Sequence, residues 1–476
     1  MSDGLRNFIE LPYAELQERN LAAKDQRKRH VPAETIREER LKYLTDEKGI
    51  KAVTVLFSDL EGRLHTLDYD KNFMVKSDDN LTFDGSSIRG FTAQRESDLR
   101  LGIDWGSFYW VPSDFFGAGK VLVFGEVIAK DGKPYSADIR GVLKNYARGL
   151  YEQKGYTLNA ANEIEGFLFR GTDAERRYPE TLAFDYVNTG GYYHSLPGDP
   201  LRTFIDTCAE VQRAMGFENE KDHPEVAPSQ FEINYSYSDV LSAADQIQLY
   251  KLICRQVANK MGFTASFLPK PVVGVNGSGM HTNVSISEKG KNLFWDANGT
   301  EMLSKMGWEF VDRILTHGND ICVLLNASVN AYRRLDPHFE APNQIMASAT
   351  DRGSMVRIPI GNEKSMRVEV RSVSPDANPY LVLYSVFRTG IEGDTASIEN
   401  LRQAKRYLPD NVYTALENFQ TAKWTDTLLG ADVKERYADL KKASADRCPR
   451  LLGTIVKAPE VQFHHDVYNQ LLWNQF

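Results

Sequence analysis

Four short segments of this chain put polar or charged side chains at every second position, the spacing that turns them to one face of a β-strand. Glu163 and Glu165 share a face in Asn162–Phe167, and Glu232 and Asn234 share one in Phe231–Tyr235. His281, Asn283 and Ser285 align in Met280–Ser285. Arg367, Glu369 and Arg371 align in Met366–Arg371, with Met366, Val368 and Val370 opposite. Any one of these is equally the pattern of an amphipathic strand with its polar face in water. Together they also describe a curved sheet whose concave polar face lines a site. Glu163 and Glu165, as neighbouring like charges, repel unless a cation stands between them. Hard divalent ions such as Mg2+ or Mn2+ take carboxylate oxygens, and Mn2+ accepts an occasional imidazole. A lone His281 reads as a structural histidine; beside several glutamates a ligand role competes with that reading.

The basic residues are grouped as well. Arg333, Arg334, Arg352, Arg357, Arg367 and Arg371 fall within 39 residues, mixed with Glu340 and Glu369. A surface salt-bridge lattice would look like this. So would a phosphoryl-transfer site, where fixed guanidiniums neutralise the moving charge and grip phosphate or carboxylate oxygens. The chain has no G-x-x-x-x-G-K-[ST] loop, and Gly117-Ala118-Gly119-Lys120 is too short a match and reads as a turn. A nucleotide would then be held by metals and arginines.

The elements that must position these residues follow from pattern. A polar segment, residues 1–32, reads as a solvated extension or surface helix. A helix begins after Pro32 with Ile36, Leu41 and Leu44 on one stripe and ends near Gly49. Val53–Phe57 and Leu64–Tyr69 flank the turn Glu61-Gly62 as a hairpin, and Lys120–Val127 is a further strand. A small α+β domain over residues 33–135 is therefore expected, followed by a catalytic domain over 136–476 in which helices and strands alternate. Its strongest helix runs from about Ser242 to Met261.

Composition narrows the function classes. The 476 residues are 42% hydrophobic and 26% charged, with a formal charge of −8, so no electrostatic pull toward nucleic acid or anionic membrane is expected. No apolar run is long enough to span a bilayer, and the N-terminus lacks the apolar core of a signal peptide. Cys208, Cys254, Cys322 and Cys448 are scattered without a C-x-x-C pair, which favours free thiols and a cytoplasmic location.

Five motifs occur in a fixed order: Phe83–Ile88 with Glu96-Ser97-Asp98, Glu225–Glu232, Asn276–His281, Asn330–Arg334 with Phe339–Pro342, and Arg352 with Arg357-Ile358-Pro359. This set resembles glutamine synthetase of the bacterial type I architecture, from about residue 33 onward. The resemblance implies a β-grasp-like N-terminal domain and a curved antiparallel sheet lining an active-site funnel, with helices outside. It implies two or three Mg2+ or Mn2+ ions per site and ATP as co-substrate. Glu165, Glu225 and Glu232 would hold the ion near the glutamate, and Glu163, His281 and Glu369 the ion that bridges the ATP phosphates. Arg352 and Arg357 would meet the transferring phosphoryl group, with Arg367, Asn283 and Ser285 along the nucleotide. Asn276, Gly277, Arg334 and Arg371 would bind the amino acid. Asp84, Ser87, Tyr192 and the flap residue Glu340 correspond to the ammonium pocket, with Asp84 as general base.

The same resemblance implies ligation of ammonia to glutamate through an acyl phosphate. It also implies a homo-oligomer of two stacked hexameric rings, in which Asp84 enters a neighbour's site and the tail Phe463–Phe476 grips the opposite ring. One rival reading keeps the chemistry and changes the acceptor to a small alkylamine, ethanolamine or polyamine. Another is a catalytically inactive scaffold, which the survival of all six implied metal ligands opposes.

Overall fold

The computed structural model describes residues 8–92, 97–181, 183–194, 196–335, 341–396, 401–403 and 405–452. Glu96, Glu340 and the tail Phe463–Phe476 lie outside the described residues.

Two sheets organise the chain. The first comprises β1 (Ala52–Ser58), β2 (Leu64–Asp70), β3 (Leu81–Asp84), β4 (Asp98–Trp110) and β5 (Lys120–Ile128), in the order β2-β1-β5-β4-β3. The expected hairpin is present, and β1 runs parallel to β5 while its other pairing is antiparallel. At the hairpin turn Gly62 has φ 90, and a Cβ there would lie 2.5 Å from Asn378 Cα. Glycine is required on both counts. Asn378 Nδ2 donates to Leu60 O at 3.1 Å, pinning this turn to the rest of the molecule.

The second sheet carries β6 (Tyr156–Arg170), β7 (Asn219–Pro224), β8 (Gln230–Tyr235), β9 (Ser238–Asp239), β10 (Phe263–Ser266), β11 (Met280–Glu288), β12 (Lys291–Asn292), β13 (Gln344–Ser348), β14 (Ser354–Arg357) and β15 (Val368–Val370). Its main path is β13-β14-β15-β11-β6-β8-β7, antiparallel apart from the β13–β14 pair. Strand β6 is its axis, with half-buried Ala161, Glu163 and Glu165 on one face and buried Asn162, Ile164 and Gly166 on the other. The Val240–Lys260 helix packs behind it and donates Tyr250 Oη to Ile164 O at 2.9 Å. A Cβ on Gly166 would lie 2.7 Å from the Phe231 ring, so the missing side chain makes room for that aromatic.

A buried ionic node ties the sheets together. Arg140 is 1% exposed and grips Asp245 through two bonds of 2.8 and 2.7 Å, and Asp104 of β4 at 3.0 Å. Tyr380 Oη completes the node on Asp245 at 2.7 Å.

The N-terminal segment differs from a solvated extension. Its helix, Tyr13–Lys28, buries Leu16 and Ala23 against β4 and the Pro200–Ala214 helix. Asn20, 3% exposed, donates to Trp110 O and Ala214 O at 2.8 Å each and accepts from Trp110 N at 3.0 Å. Lys24 pairs with Glu218. Asn20 and Lys24 share the docking with Leu16 and Ala23, so the apolar stripe is too sparse to announce the contact. Cys208, Cys254 and Cys322 are buried free thiols, and no helix of the described residues is long and apolar enough to cross a membrane.

Candidate active site

The strand register brings the charged faces together. His281 on β11 stands opposite Glu163 on β6, and Asn283 stands opposite Glu369 on β15. His281 Nδ1 is 3.6 Å from Glu163 Oε2 and 3.7 Å from Glu369 Oε1. Glu369 is fully buried between two arginines: Arg371 Nη1 donates to Oε1 at 2.9 Å, and Arg357 Nε lies 2.7 Å from Oε2. The Arg357 approach is too oblique for a hydrogen bond, so Oε2 has none. Burial alone would raise the Glu163 carboxyl, but the hydrogen bond and charge of His281 hold it well below the usual carboxylate range, helped by Lys221 and Asn283.

A second group forms where β7 meets β8. His223 Nδ1 is 3.4 Å from Glu225 Oε1, and its Nε2 is 3.6 Å from Glu232 Oε1. That Nε2 is buried without a hydrogen bond. Glu165 faces Glu232 across the β6–β8 pairing and is fixed by Gly279 N at 2.7 Å. Burial and then the Glu165 charge push the Glu225 carboxyl up to about 8 and Glu232 well above its ordinary value. Burial likewise lowers His223. The group thus lacks positive charge. Glu165 stands opposite Glu232 in register and its charge acts on both Glu225 and Glu232, while His223 lies closest to that pair and forms the compact trio with them.

These donor sets fit divalent metals. Each trio brings carboxylate and imidazole atoms within 4.8 Å of one another, and in the second the buried His223 Nε2 has no hydrogen bond. An orphaned buried acceptor is costly unless something binds it.

Arg334 lies 5% exposed between the two groups and the next segment, donating to Val373 O and Arg371 O at 3.1 Å. Burial lowers its guanidinium to about 10, against the pull of Glu165. A Cβ on Gly279 would sit 2.5 Å from Arg334 Nη2 and 2.8 Å from His281 Nε2, and one on Gly277 would sit 2.4 Å from Pro269 O. The glycines let the chain pass between the arginine and the histidine, with Asn276 half-buried beside them. Asn283 bridges Glu163, to which it donates at 3.2 Å, and Arg367, from which it accepts at 2.9 Å. Ser285 follows on the same strand face, half-buried. Arg352 is exposed in the turn between β13 and β14, and its charge acts on Glu225.

The expected ammonium pocket is divided. Tyr192 stacks on Tyr193 at 3.8 Å and meets the His223 ring edge-on at 5.5 Å, beside Glu225 and Glu232. Tyr193 holds φ 59, a left-handed conformation uncommon for a non-glycine residue. Asp84 and Ser87 belong to the other sheet. There Asp84 accepts from Ser86 N at 2.9 Å, Ser86 Oγ at 2.7 Å and Ser87 Oγ at 2.8 Å. Among the described residues, those hydrogen bonds stay within its own turn.

Family profiles described as "Glutamine synthetase, catalytic domain" and "Glutamine synthetase, beta-Grasp domain" match residues 136–452 and 49–130. A glutamine synthetase of Methanosarcina mazei is 34% identical over 420 residues, which are 84% of this chain and 92% of that protein. One from Clostridium saccharobutylicum is 34% identical over 424 residues, covering 85% and 94%. Among solved structures, the GmaS/ADP complex shares the fold with a TM-score of 0.76 at 24% identity, covering 89% of this chain and 98% of that one. Profiles over both sheets, and relatives at a third identity over most of their length, agree with the site geometry: the chain belongs to the glutamine synthetase family and is a ligase of that type.

Proposed function

We propose that this protein ligates ammonia to the γ-carboxylate of L-glutamate, with ATP converted to ADP and phosphate. The observation that carries the reading is the pair of carboxylate–histidine groups on one sheet, Glu163/His281/Glu369 and His223/Glu225/Glu232, flanked by Arg334, Arg357 and Arg371. Glu163, His281 and Glu369 would hold one Mg2+ or Mn2+ ion, and Glu225, Glu232 and His223, with Glu165 nearby, another. Bound there, the ions would offset the negative charge of the phosphates and of the group in transfer.

The chain's own residues supply the rest. The γ-carboxylate oxygen attacks the terminal phosphorus, ADP leaves, and the amine nitrogen then displaces phosphate from the acyl carbon. Arg357, beside Glu369, and Arg352, whose charge acts on Glu225, would meet the phosphoryl oxygens. Arg367, Asn283 and Ser285 line the nucleotide side, while Arg334, Arg371, Asn276 and Gly277 suit the amino acid. Glu340 is assigned to closing the site against water.

Asp84 is held below the usual carboxylate range by Ser86 and then Ser87, so it offers ammonium an anion throughout the working pH range and takes the proton as the amine attacks. Strand β3 is a sheet edge and Asp84 is exposed on it, which supports the reading that Asp84 completes the site of another copy in stacked hexameric rings.

The test is phosphate release with glutamate, ATP and a panel of ammonium, methylamine, ethylamine, ethanolamine and a diamine. The highest kcat/KM is expected with ammonium; a higher value for any alkylamine would move the protein to that acceptor.

A further inference from the structure

Tyr193 takes its left-handed backbone while its side chain stays 58% exposed, so the strain is not offset by burying the ring. The loop around it is fixed from both sides. Asn188 Oδ1 accepts from Gly190 N at 3.2 Å and from Ser229 N at 2.8 Å, which ties the loop to the turn before β8. Tyr193 N donates to Pro224 O at 3.3 Å, at the end of β7. Gly191 has φ 135, and a Cβ there would lie 2.8 Å from His194 Cβ, so only glycine fits beside the two tyrosines. The result is a ring held in two contacts at once. Tyr193 stacks on Tyr192 and meets His223 edge-on, with centroids 4.8 Å apart and planes at 89°.

The hydroxyls decide what this arrangement does. Tyr192 Oη donates to Tyr193 Oη at 2.8 Å. A phenol has one proton to give and lone pairs with which to accept. Among the described residues Tyr192 Oη makes no other hydrogen bond, although the charges of Glu225 and Glu232 reach it. Burial, then the bond to Tyr193 and then the charge of Glu225, raise the Tyr192 phenol above its ordinary range, so it remains a neutral hydroxyl at working pH. Its single proton is committed to Tyr193 and not to either carboxylate. The oxygen is left with lone pairs alone to offer beside Glu225 and Glu232. Such a set suits a ligand that brings N–H donors.

We propose that Tyr193 is a positioning residue for the acceptor amine: its hydroxyl takes the Tyr192 proton, so that Tyr192 Oη meets an incoming ammonium as a hydrogen-bond acceptor. This rests on the reading that Tyr192 belongs to the ammonium pocket. It adds that the polarity of the pocket is set from the adjoining residue. A phenylalanine ring would stack in the same place, so the hydroxyl carries the effect.

The test is a double-mutant cycle in the full-length oligomer, with kcat and each KM measured for the amine of highest kcat/KM. Tyr193→Phe keeps the ring and removes the acceptor. Its KM for the amine should rise about three- to tenfold, while kcat and the KM for glutamate and ATP stay within about twofold. Tyr192→Phe should raise the KM for the amine at least as much. The double variant should match Tyr192→Phe alone, because Tyr193 acts through the Tyr192 proton. Both single variants should keep the wild-type melting temperature. An unchanged KM for the amine in Tyr193→Phe, or effects that add in the double variant, would overturn the proposal. So would an equal rise in the KM for glutamate and ATP, the mark of a structural role. A wild type that prefers an alkylamine overturns the choice of ammonia instead, and the cycle then decides the role of Tyr193 with that amine.

Discussion

Binding of a divalent ion at the His223/Glu225/Glu232 group should expel protons at neutral pH, and the number lost on changing Glu225→Gln can be worked from the structure. Burial and the Glu165 charge raise the Glu225 carboxyl from 4.5 to about 8. At pH 7 a group with that value is about 0.9 protonated. A ligand oxygen must be ionised, so that proton leaves when the metal arrives. Titration of metal-free protein with Mn2+ in two buffers of different ionisation enthalpy counts the protons released. Glu225→Gln should lower the count by about 0.9 at pH 7 and by only about 0.1 at pH 9. Glu232, raised by burial and by the charges of Glu165, Glu163 and Glu225, adds to the wild-type total and largely cancels from the difference at pH 7, where Glu225 is mostly neutral.

Stability carries the same linkage with a definite sign. The folded state holds the Glu225 proton more tightly than the unfolded chain, so its contribution is complete below 4.5 and is lost as pH rises through about 8. A span of 3.5 units at 1.36 kcal/mol each sets an upper bound of about 5 kcal/mol for the metal-free protein. Glu163, depressed rather than raised, loses its contribution only as pH falls below its ordinary value and stays out of the window from pH 5 to 8; Asp138, raised to about 6, and Glu232 share that window, so Glu225 is read from the difference between wild type and Glu225→Gln. Melting temperatures of chelated protein should fall across that window, and added Mg2+ should flatten the fall. A proton count unchanged in Glu225→Gln, or a chelated protein as stable at pH 8 as at pH 5, would refute the reasoning.

Three further outcomes are expected. Glu369→Gln removes the charge between Arg357 and Arg371 and should lower kcat/KM for phosphate release by about 100-fold or more, while the proton release assigned to Glu225 persists. Arg140→Met strands Asp245 and Asp104 in the interior and should cost about 3–5 kcal/mol in urea unfolding. If Asp84 serves a neighbour's site, Asp84→Asn and Glu225→Gln oligomers are each inactive; dissociated and reassembled together in equal amounts, they should regain about a quarter of wild-type activity, because one random site in four is intact. No recovery would keep Asp84 within its own chain.

The charged faces were legible because alternation is a local rule: β6 needs only its own sequence to put Glu163 and Glu165 on one side. Which strands lie beside it is a matter of long-range register, and the ordering β15-β11-β6-β8 is what separates the two carboxylates into different groups. His223 shows where the local rule was underused. It precedes Glu225 by two residues, but Pro224 between them reads as a break in a strand, and in the structure it is the last residue of β7. The docked first helix was hidden for another reason. Asn20 and Lys24 secure it through polar contacts to residues far along the chain, and no periodicity of apolar residues announces such partners.

The two groups are electrostatically unequal, and the inequality has a consequence for metal loading. Around His281, the carboxylates of Glu163 and Glu369 already face two guanidiniums, Arg357 and Arg371, with Arg367 reached through Asn283. Around His223, three carboxylates share the neighbourhood of one histidine, which burial disfavours as a cation, and feel Arg334, Lys221 and Arg352 only as nearby charges. With the Glu225 carboxyl largely protonated at neutral pH, an ion at the His223 group would have to displace that proton, and its hold would tighten as pH rises through about 8. The His281 group is nearly balanced by arginine until phosphate oxygens bring fresh negative charge. Glu163 and Glu165, two residues apart on one strand, thereby face different electrostatic demands: an ion near Glu165 would compete with protons on Glu225, and one at Glu163 would be favoured once phosphate oxygens arrive. The proton count at Glu225 tests the first of these directly, in the absence of turnover.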